Sequence, residues 1–122
     1  MIEHQFGRVI NLTGTREPRS LNAAHAAKAA GHVWSKRLSK VVTKDGVTVN
    51  CTQLGKLRSE QIYKRTPTEA ARRAWAKTEV PMECVGEPEE LADLAVFLAS
   101  PRAGYISGNV IAVDGAARFF AF

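Results

Sequence analysis

Cysteine is scarce in this sequence, and long apolar runs are missing. The 122 residues include two cysteines, Cys51 and Cys84, which lie 33 positions apart with no CxxC pair. This usage argues against a disulfide-stapled secreted domain and against a zinc site, and it predicts reduced thiols. Neither the opening MIEHQFGRVI nor any later stretch approaches the ~20 apolar residues of a membrane span. We therefore predict a cytoplasmic protein with no membrane association.

Blocks of one charge sign are also missing. The 17 basic and 12 acidic residues give a net charge of +5, but they are interleaved along the chain. Such a pattern is typical of a solvated, mildly basic surface, and no motif that reads nucleic acid is present. We therefore predict that nucleic acid is not a partner. The alternative is a basic helix carrying Arg72, Arg73 and Lys77, whose affinity for a duplex would fall steeply with salt.

What the sequence does contain is an alternation of strand and helix patterns. The β-branched run GRVINL, residues 7–12, predicts a buried strand that runs into the turn-rich TGTREPRS with its Pro18. Residues 22–42 predict a helix with Asn22 as its cap. We expect the core-facing side of that helix to be its apolar face, which comprises Ala26, Ala30, Val33, Trp34 and Leu38.

The second half of the chain repeats the alternation. The Asp45-Gly46 turn precedes a predicted strand over 47–51, and residues 109–113 predict a third strand. Between them, Glu87 and Pro88 begin a predicted helix whose stripe comprises Leu91, Leu94, Ala95 and Leu98. Residues 56–86 are polar, with a helical stretch over 68–78, and predict a mobile, substrate-loop-like segment. Together these units predict one α/β domain over 1–122, with about three parallel strands and flanking helices.

Ligands of open parallel sheets bind beyond the carboxyl ends of the strands. The residues at those positions are therefore the first candidates for a site. They are Thr13 and Gly14 after the first strand, Leu54 and Gly55 after the second, and Asp114 and Gly115 after the third.

Four stretches, taken in order, resemble a known family. They are GRVINLTG, AAKAAGHVWSKRLS, DGVTVNCTQLG and GEPEELADLAVFLASPRAGYISGNVIAVDGA. Together they resemble the C-terminal half of the short-chain dehydrogenase/reductase family, and the last stretch is the most specific. The resemblance implies a partial Rossmann-like three-layer fold and hydride transfer between NAD or NADP and a carbonyl or alcohol substrate.

The same resemblance implies roles for particular residues. Lys28 matches the family lysine, which holds the nicotinamide ribose and lowers the pKa of a catalytic tyrosine. Thr13 stands near the position of the serine that polarises the carbonyl. Leu54 and Gly55 stand where the family packs a Pro-Gly pair on the nicotinamide, and Ser59 stands where a threonine binds its carboxamide.

The departures from the family pattern bear on activity. Ala24 occupies the tyrosine position, four residues before Lys28. His25 lies about 100° further around the helix, so we expect it to point elsewhere as an ordinary surface histidine. The alternative is that this histidine substitutes for the tyrosine as the acid. The Gly-rich TGxxxGxG loop of the family is absent from the sequence, and it would precede Met1, which we interpret as a start inside a gene.

These departures lead to two interpretations. In the first, the chain is a truncated family member that is inactive in isolation, binds cofactor weakly or not at all, and contributes Lys28, Gly55 and Ser59 to a complementary N-terminal half. In the second, it is a non-enzymatic interaction module that dimerises through the helix over residues 22–42 and the last strand. Because three strands leave an open sheet edge, both predict an assembly, either a homodimer or larger oligomer or a pair with that complementary half.

Overall fold

A computed structural model describes residues 1–15, 17 and 20–120. The predicted turn residue Pro18 lies outside this part of the chain. Within it, three parallel strands form one sheet in the order β1 (Gly7–Gly14), β2 (Val47–Leu54), β3 (Val110–Val113). Four α-helices accompany the sheet: α1 (Ala23–Val42), α2 (Glu60–Arg65), α3 (Glu69–Glu79) and α4 (Pro88–Ala99). The predicted class, α/β with about three parallel strands and flanking helices, is confirmed.

The central strand β2 carries most of the core. Its residues from Val47 to Gln53 are all buried, including polar Asn50 at 1% exposure and Thr52 at 0%. The Asn50 side chain donates to the Ile106 carbonyl at 2.8 Å and accepts from the Asn109 backbone at 3.2 Å. These bonds tie β2 to the segment that enters β3, so the buried amide is compensated rather than costly.

Helix α1 packs on the sheet through a polar and small-residue face. Its buried residues are His32, Ser35 and Ser39, and the Asn11 amide of β1 donates to the Ser35 hydroxyl at 2.8 Å. Our expectation that Val33 and Trp34 would face the core was wrong, because they are 72% and 59% exposed. Side chains of β1 alternate between the two faces of the sheet, so Asn11 and Thr13 both point toward α1. Because their hydrogen-bonding groups pair with Ser35 and His32, α1 packs on the sheet through its polar face.

The expected helix boundaries follow from local chemistry. Asn22 caps α1 by accepting from the Ala24 backbone at 2.9 Å, and Glu87 forms a reciprocal capping box with Glu90 at the start of α4. The predicted stripe of α4 is correct, since Leu98 is 1% exposed. Helix α4 lies on the side of the sheet away from α1, because Arg8, on the opposite face of β1 from Asn11, bonds the Ser100 carbonyl at its end.

The segment between β2 and α4 contains more structure than predicted. Helix α3 matches the expected helical stretch, with Thr68 as its N-cap, whereas the short helix α2 was not predicted. Leu57 and Gly86 form a parallel bridge that brings the two ends of the segment together. Ala76 of α3 is fully buried. The segment is therefore a long loop whose ends are held together and whose helix α3 is packed. Its mobility stays a prediction.

Candidate active site

The carboxyl ends of the three strands meet at one edge of the sheet. Gly14 pairs with Leu54, and Leu54 pairs with Val113, so the residues that follow each strand are neighbours in space. A cavity of about 530 Å³ opens at this edge. Such a volume falls in the range of ordinary small-molecule sites. The position confirms the expectation, made from the strand order, that residues after the strands would converge.

The family resemblance assigned roles to five residues. Four of these residues line the cavity, and the fifth does not. Thr13, Lys28, Leu54 and Gly55 are in its wall, together with Gly14 and Asp114. Ser59 is exposed at the start of α2, where its side chain makes no capping bond, and it is not among the lining residues. The geometry therefore brings the lysine, the threonine and the Leu-Gly pair together but leaves Ser59 outside.

Lys28 reaches the end of β1 because a glycine makes room for it. A Cβ built on Gly14 would lie 2.9 Å from the Lys28 Nζ and 3.3 Å from its Cε, both shorter than ordinary contact. No hydrogen bond or ion pair from the Lys28 ammonium to another described residue is found. A half-exposed ammonium at the wall of a cavity favours a ligand that accepts hydrogen bonds, such as a ribose hydroxyl.

Thr13 has its hydroxyl engaged within the fold. The hydroxyl donates to the Thr52 carbonyl at 3.0 Å, and the His32 Nε2 lies 2.7 Å away. Because a hydroxyl has one hydrogen, Nε2 is the donor in the second bond. Thr13 therefore links β1, β2 and α1, which gives it a structural role whatever it does for a substrate.

Gly55 is required by the approach of two strand ends. A Cβ on Gly55 would lie 2.7 Å from the Asp114 Cα, and the Gly55 backbone donates to the Val113 carbonyl at 2.9 Å. Backbone contact this close cannot be relieved by moving a flexible side chain. The Leu54-Gly55 turn is thus held against the end of β3, which fixes one wall of the cavity.

His25 also lines the cavity, which contradicts our expectation that it would point elsewhere. Ala24, at the family's tyrosine position, is exposed and is not a lining residue. At 100° per residue, positions 24 and 25 lie about 40° and 60° to either side of Lys28. The expectation was wrong because it used the angle between His25 and Ala24. The angle that matters is the one to Lys28, and both positions lie near it.

Another wall comes from the segment after β2, which we predicted to be substrate-loop-like without identifying its lining residues. The Lys56 ammonium lies 3.4 Å from the centroid of the Trp75 ring, a cation–π contact that joins the strand end to α3. Burial lowers the pKa of Lys56, while the charge of Glu79 opposes this shift. Arg65 and Gln61 of this segment also line the cavity. The site is therefore enclosed by α2 and α3 as well as by the sheet.

The C-terminal residues reach the same region through a buried carboxylate. Glu17 is 6% exposed, and its Oε1 accepts from the backbone of Phe119 at 2.8 Å and of Phe120 at 3.2 Å. Glu17 and Arg118 both line the cavity. Glu17 and the phenylalanines are about a hundred positions apart, so no short-range sequence pattern indicates their contact. The sequence analysis did not predict it.

An ion-pair cluster holds the segment between β2 and α4 together. Arg58 donates to both oxygens of Glu69, at 2.9 and 3.1 Å, and to Glu87 at 2.6 Å. Hydrogen bonds from Arg58 and then Arg72 lower the pKa of Glu69 to about 2, and the two carboxylates raise the pKa of Arg58. Arg72 is 8% exposed and also bonds two backbone carbonyls, so it is unsuited to the basic nucleic-acid surface considered above.

Metal and membrane features are not found in the described part of the chain. No group of three or more His, Cys, Asp or Glu side chains there is placed to hold a metal ion. Likewise, none of its helices combines the length and apolar character that crossing a bilayer requires. Cys51 is buried and Cys84 is exposed, and both are free thiols.

The comparison with family models decides the identity of the fold. Residues 1–116 match a model described as enoyl-(acyl carrier protein) reductase. The chain belongs to the short-chain dehydrogenase/reductase family. The match covers nearly the whole chain, including the strand ends and the helix that carries Lys28.

Curated relatives in this family are about twice as long. The chain is 39% identical over 119 residues to the 3-oxoacyl-[acyl-carrier-protein] reductase FabG of Chlamydia trachomatis, covering 94% of this chain and 46% of that protein. It is 32% identical over 123 residues to the acetoacetyl-CoA reductase of Shinella zoogloeoides, covering 98% and 50%. The chain thus spans about half the length of the curated relatives it matches. These lengths do not bear out our expectation that this half is specifically the C-terminal one.

Solved structures confirm the Rossmann-like architecture. YwfH, an NADPH-dependent reductase involved in bacilysin biosynthesis, superimposes with a TM-score of 0.89 at 31% identity, covering 98% of this chain and 50% of that one. L-sorbose reductase from Gluconobacter frateurii, in complex with NADPH and L-sorbose, gives a TM-score of 0.87 at 28% identity, with the same coverage. Both of these relatives use NADPH.

Proposed function

We propose that the chain carries the lysine-containing part of a nicotinamide site in an NAD- or NADP-dependent oxidoreductase of carbonyl or alcohol substrates. The observation that carries the proposal is the position of Lys28, whose ammonium lies against Gly14 in the cavity at the strand ends. The residues present fit the nicotinamide end of such a cofactor, because a lysine ammonium in the wall of a 530 Å³ cavity suits a ribose and a nicotinamide ring.

The proposed roles follow from the contacts. Lys28 would hold the nicotinamide ribose, and the Leu54-Gly55 turn would provide the surface beside the ring. When bound, the cofactor supplies a hydride. Thr13 would orient the wall of the site through its bonds to Thr52 and His32, and its engaged hydroxyl favours this over polarising a carbonyl. The carboxamide role predicted for Ser59 has no support from the geometry.

We also propose that the isolated chain does not turn over substrate. The sequence contains no TGxxxGxG loop to bind the cofactor pyrophosphate at a helix N-terminus. Without those contacts the remaining cavity offers only part of the binding energy of the cofactor. We expect weak cofactor binding, and full affinity only where another polypeptide supplies the missing contacts.

A partner is proposed because two apolar surfaces are exposed. On α1, Val33 and Trp34 are 72% and 59% exposed, and on the other side of the sheet Leu12 and Val96 are 61% and 71% exposed. Isolated apolar residues need no explanation, but apolar faces of this kind mark association sites. The partner is a second copy of this chain or a complementary family half. These faces also favour the second function, a non-enzymatic interaction module, if no cofactor binds.

Titration of the purified protein with NADH and NADPH, followed by nicotinamide fluorescence, tests the proposal. Saturable binding that is lost in Lys28→Met supports it. The matched control is Lys40→Met, which removes the same charge from the exposed last turn of the same helix. Absence of binding at millimolar cofactor would refute the cofactor role and leave the interaction module as the function.

A further inference from the structure

The side chain that flanks Lys28 inside the cavity is a histidine. His25 lines the cavity with Lys28 and Thr13, whereas Ala24, at the position of the family's proton donor, is exposed outside it. Positions three and four residues before a helical residue lie on the same face of the helix. A donor at position 25 therefore shares the helix face of Lys28 and, unlike position 24, lines the cavity.

One nitrogen of this histidine is buried and unpaired. The Nδ1 atom of His25 has almost no solvent exposure and makes no hydrogen bond with any residue in the described ranges. Buried polar atoms in native proteins nearly always have a partner, so an exception calls for an explanation such as a functional role. Because Nδ1 is buried, the nitrogen that a molecule bound in the cavity can reach is the other one, Nε2.

An imidazole has the right chemistry for the role that the missing tyrosine leaves open. It gains and loses a proton near neutral pH, whereas an ordinary phenol must have its pKa lowered by several units before it can do so. The other nitrogenous group to weigh is Lys56, whose pKa is lowered by burial. Its ammonium lies 3.4 Å from the centroid of the Trp75 ring, and this cation–π contact engages it on the segment after β2.

We propose that His25 is the proton-transfer residue of this site, acting on the substrate oxygen in place of the family tyrosine. The inference rests on the proposed function, since it requires a nicotinamide cofactor beside Lys28. In carbonyl reduction the carbonyl carbon gains the hydride that the cofactor supplies. The oxygen gains the proton of the His25 imidazolium, and a neutral imidazole and an alcohol remain. Oxidation of an alcohol is the reverse, with neutral His25 as the base.

The test uses long-range ¹H–¹⁵N NMR of the imidazole nitrogens in the full chain, so that it needs no turnover. His25→Gln assigns the His25 signals by their loss, and glutamine is a good helix former that suits α1. The first probe is oxidised nicotinamide mononucleotide, and the second, added to the loaded protein, is 2,2,2-trifluoroethanol as a mimic of an alcohol product. His4, which lies in the N-terminal turn and outside the cavity lining, is the internal control.

The proposal expects two successive changes. The nucleotide shifts the His25 nitrogen signals saturably in the wild-type protein and leaves those of His4 in place. Trifluoroethanol then shifts one His25 nitrogen further, because its hydroxyl donates a hydrogen bond to neutral imidazole. In Lys28→Met, both shifts require at least tenfold more nucleotide.

The outcomes separate this inference from the proposed function. Nucleotide binding that leaves the His25 signals unchanged, or an unchanged His25 spectrum on adding trifluoroethanol, overturns the role of His25 while the cofactor role of Lys28 stands. Absence of any nucleotide binding overturns both proposals. Circular dichroism of His25→Gln confirms that the lost signals do not report unfolding.

Discussion

Replacing Gly14 with alanine should move the Lys28 ammonium without unfolding the protein. The new Cβ would lie 2.9 Å from Nζ and 3.3 Å from Cε, and ordinary contact begins near 3.4 Å. The lysine end must therefore retreat by roughly 0.5–1 Å, at a rotamer cost of about 1 kcal/mol or less. Alanine in a strand is also favoured over glycine by roughly 0.5–1 kcal/mol. The two terms nearly cancel.

The expected result is a loss of binding at almost constant stability. A net change within about 1 kcal/mol corresponds to a shift in Tm of about 4 °C or less for a chain of this size. Charge-assisted hydrogen bonds contribute about 1.5–3 kcal/mol, so partial displacement of the ammonium should weaken NADPH binding by about 3–10-fold. Fluorescence titration measures the affinity, and differential scanning calorimetry measures Tm.

Gly31→Ala is the matched control. It makes the same chemical change in α1, at a position where a Cβ meets nothing within 4 Å. We expect unchanged NADPH affinity and a stability gain of about 1 kcal/mol, as for a glycine removed from a helix. If Gly14→Ala binds NADPH as the wild type does while Lys28→Met fails to bind, the contact between Gly14 and Lys28 does not position the ammonium, and the reasoning is refuted.

Three further changes test other parts of the structure. Thr13→Val should lower the free energy of unfolding, measured in urea, by about 1–3 kcal/mol, because the Thr52 carbonyl and His32 lose their hydroxyl partner. Thr13→Ser keeps the hydroxyl and should restore the stability. Equal stability of the wild type and both variants would show that these bonds contribute nothing. Trp34→Glu, on the exposed face of α1, should shift the assembly toward monomer in sedimentation velocity, and a monomeric wild type would contradict the proposed interface. The folded pKa of Glu69 is about 2, below the value near 4.3 of a free carboxyl, so its stabilising effect is complete above about pH 4.5 and is lost as the pH falls toward 2. Glu69→Gln should therefore flatten the acid-side fall in stability over that window, and parallel curves for the two proteins would disprove this.

Local chemistry explains why much of the fold could be predicted. The start of α4 is specified within a few residues, since Glu87 and Glu90 satisfy each other's backbone donors and Pro88 fits only the first turn. The Asp45-Gly46 turn is equally local, because Gly46 takes a left-handed φ of 72° that favours glycine. In both places the residues that decide the structure are adjacent in sequence.

The face of α1 could not be predicted, because its partners lie elsewhere in the chain. The helix has an apolar stripe with Val33 and Trp34 and a polar stripe with Ser35 and His32, and each has helical spacing. The choice between them depends on Asn11 and Thr13 of β1, which hydrogen-bond the polar stripe. Periodicity ranks faces by hydrophobicity and carries no information about complementary hydrogen bonds on another element.

The position of the candidate site could be predicted from the sequence, but several of the residues that line it could not. Strand order placed the residues after β1, β2 and β3 together, since carboxyl ends of parallel strands share an edge. The walls made by Trp75 and Glu17 depend on how a long excursion and the C-terminal residues fold back, which short-range patterns do not encode. His25 was misplaced for a simpler reason: the angle was taken from Ala24 instead of from Lys28.

The exposed Leu12 and the candidate site lie at the same edge of the sheet. Leu12, at 61% exposure, lies one residue before Thr13, which lines the cavity, and β1 forms an edge of the described sheet. A polypeptide that covers this edge and its apolar surface therefore approaches the cavity from the side where Gly14 and Lys28 lie. If it brings contacts to the cofactor, linkage requires that cofactor strengthen the assembly as much as assembly strengthens cofactor binding. Association and cofactor binding are then coupled properties of one edge of the sheet.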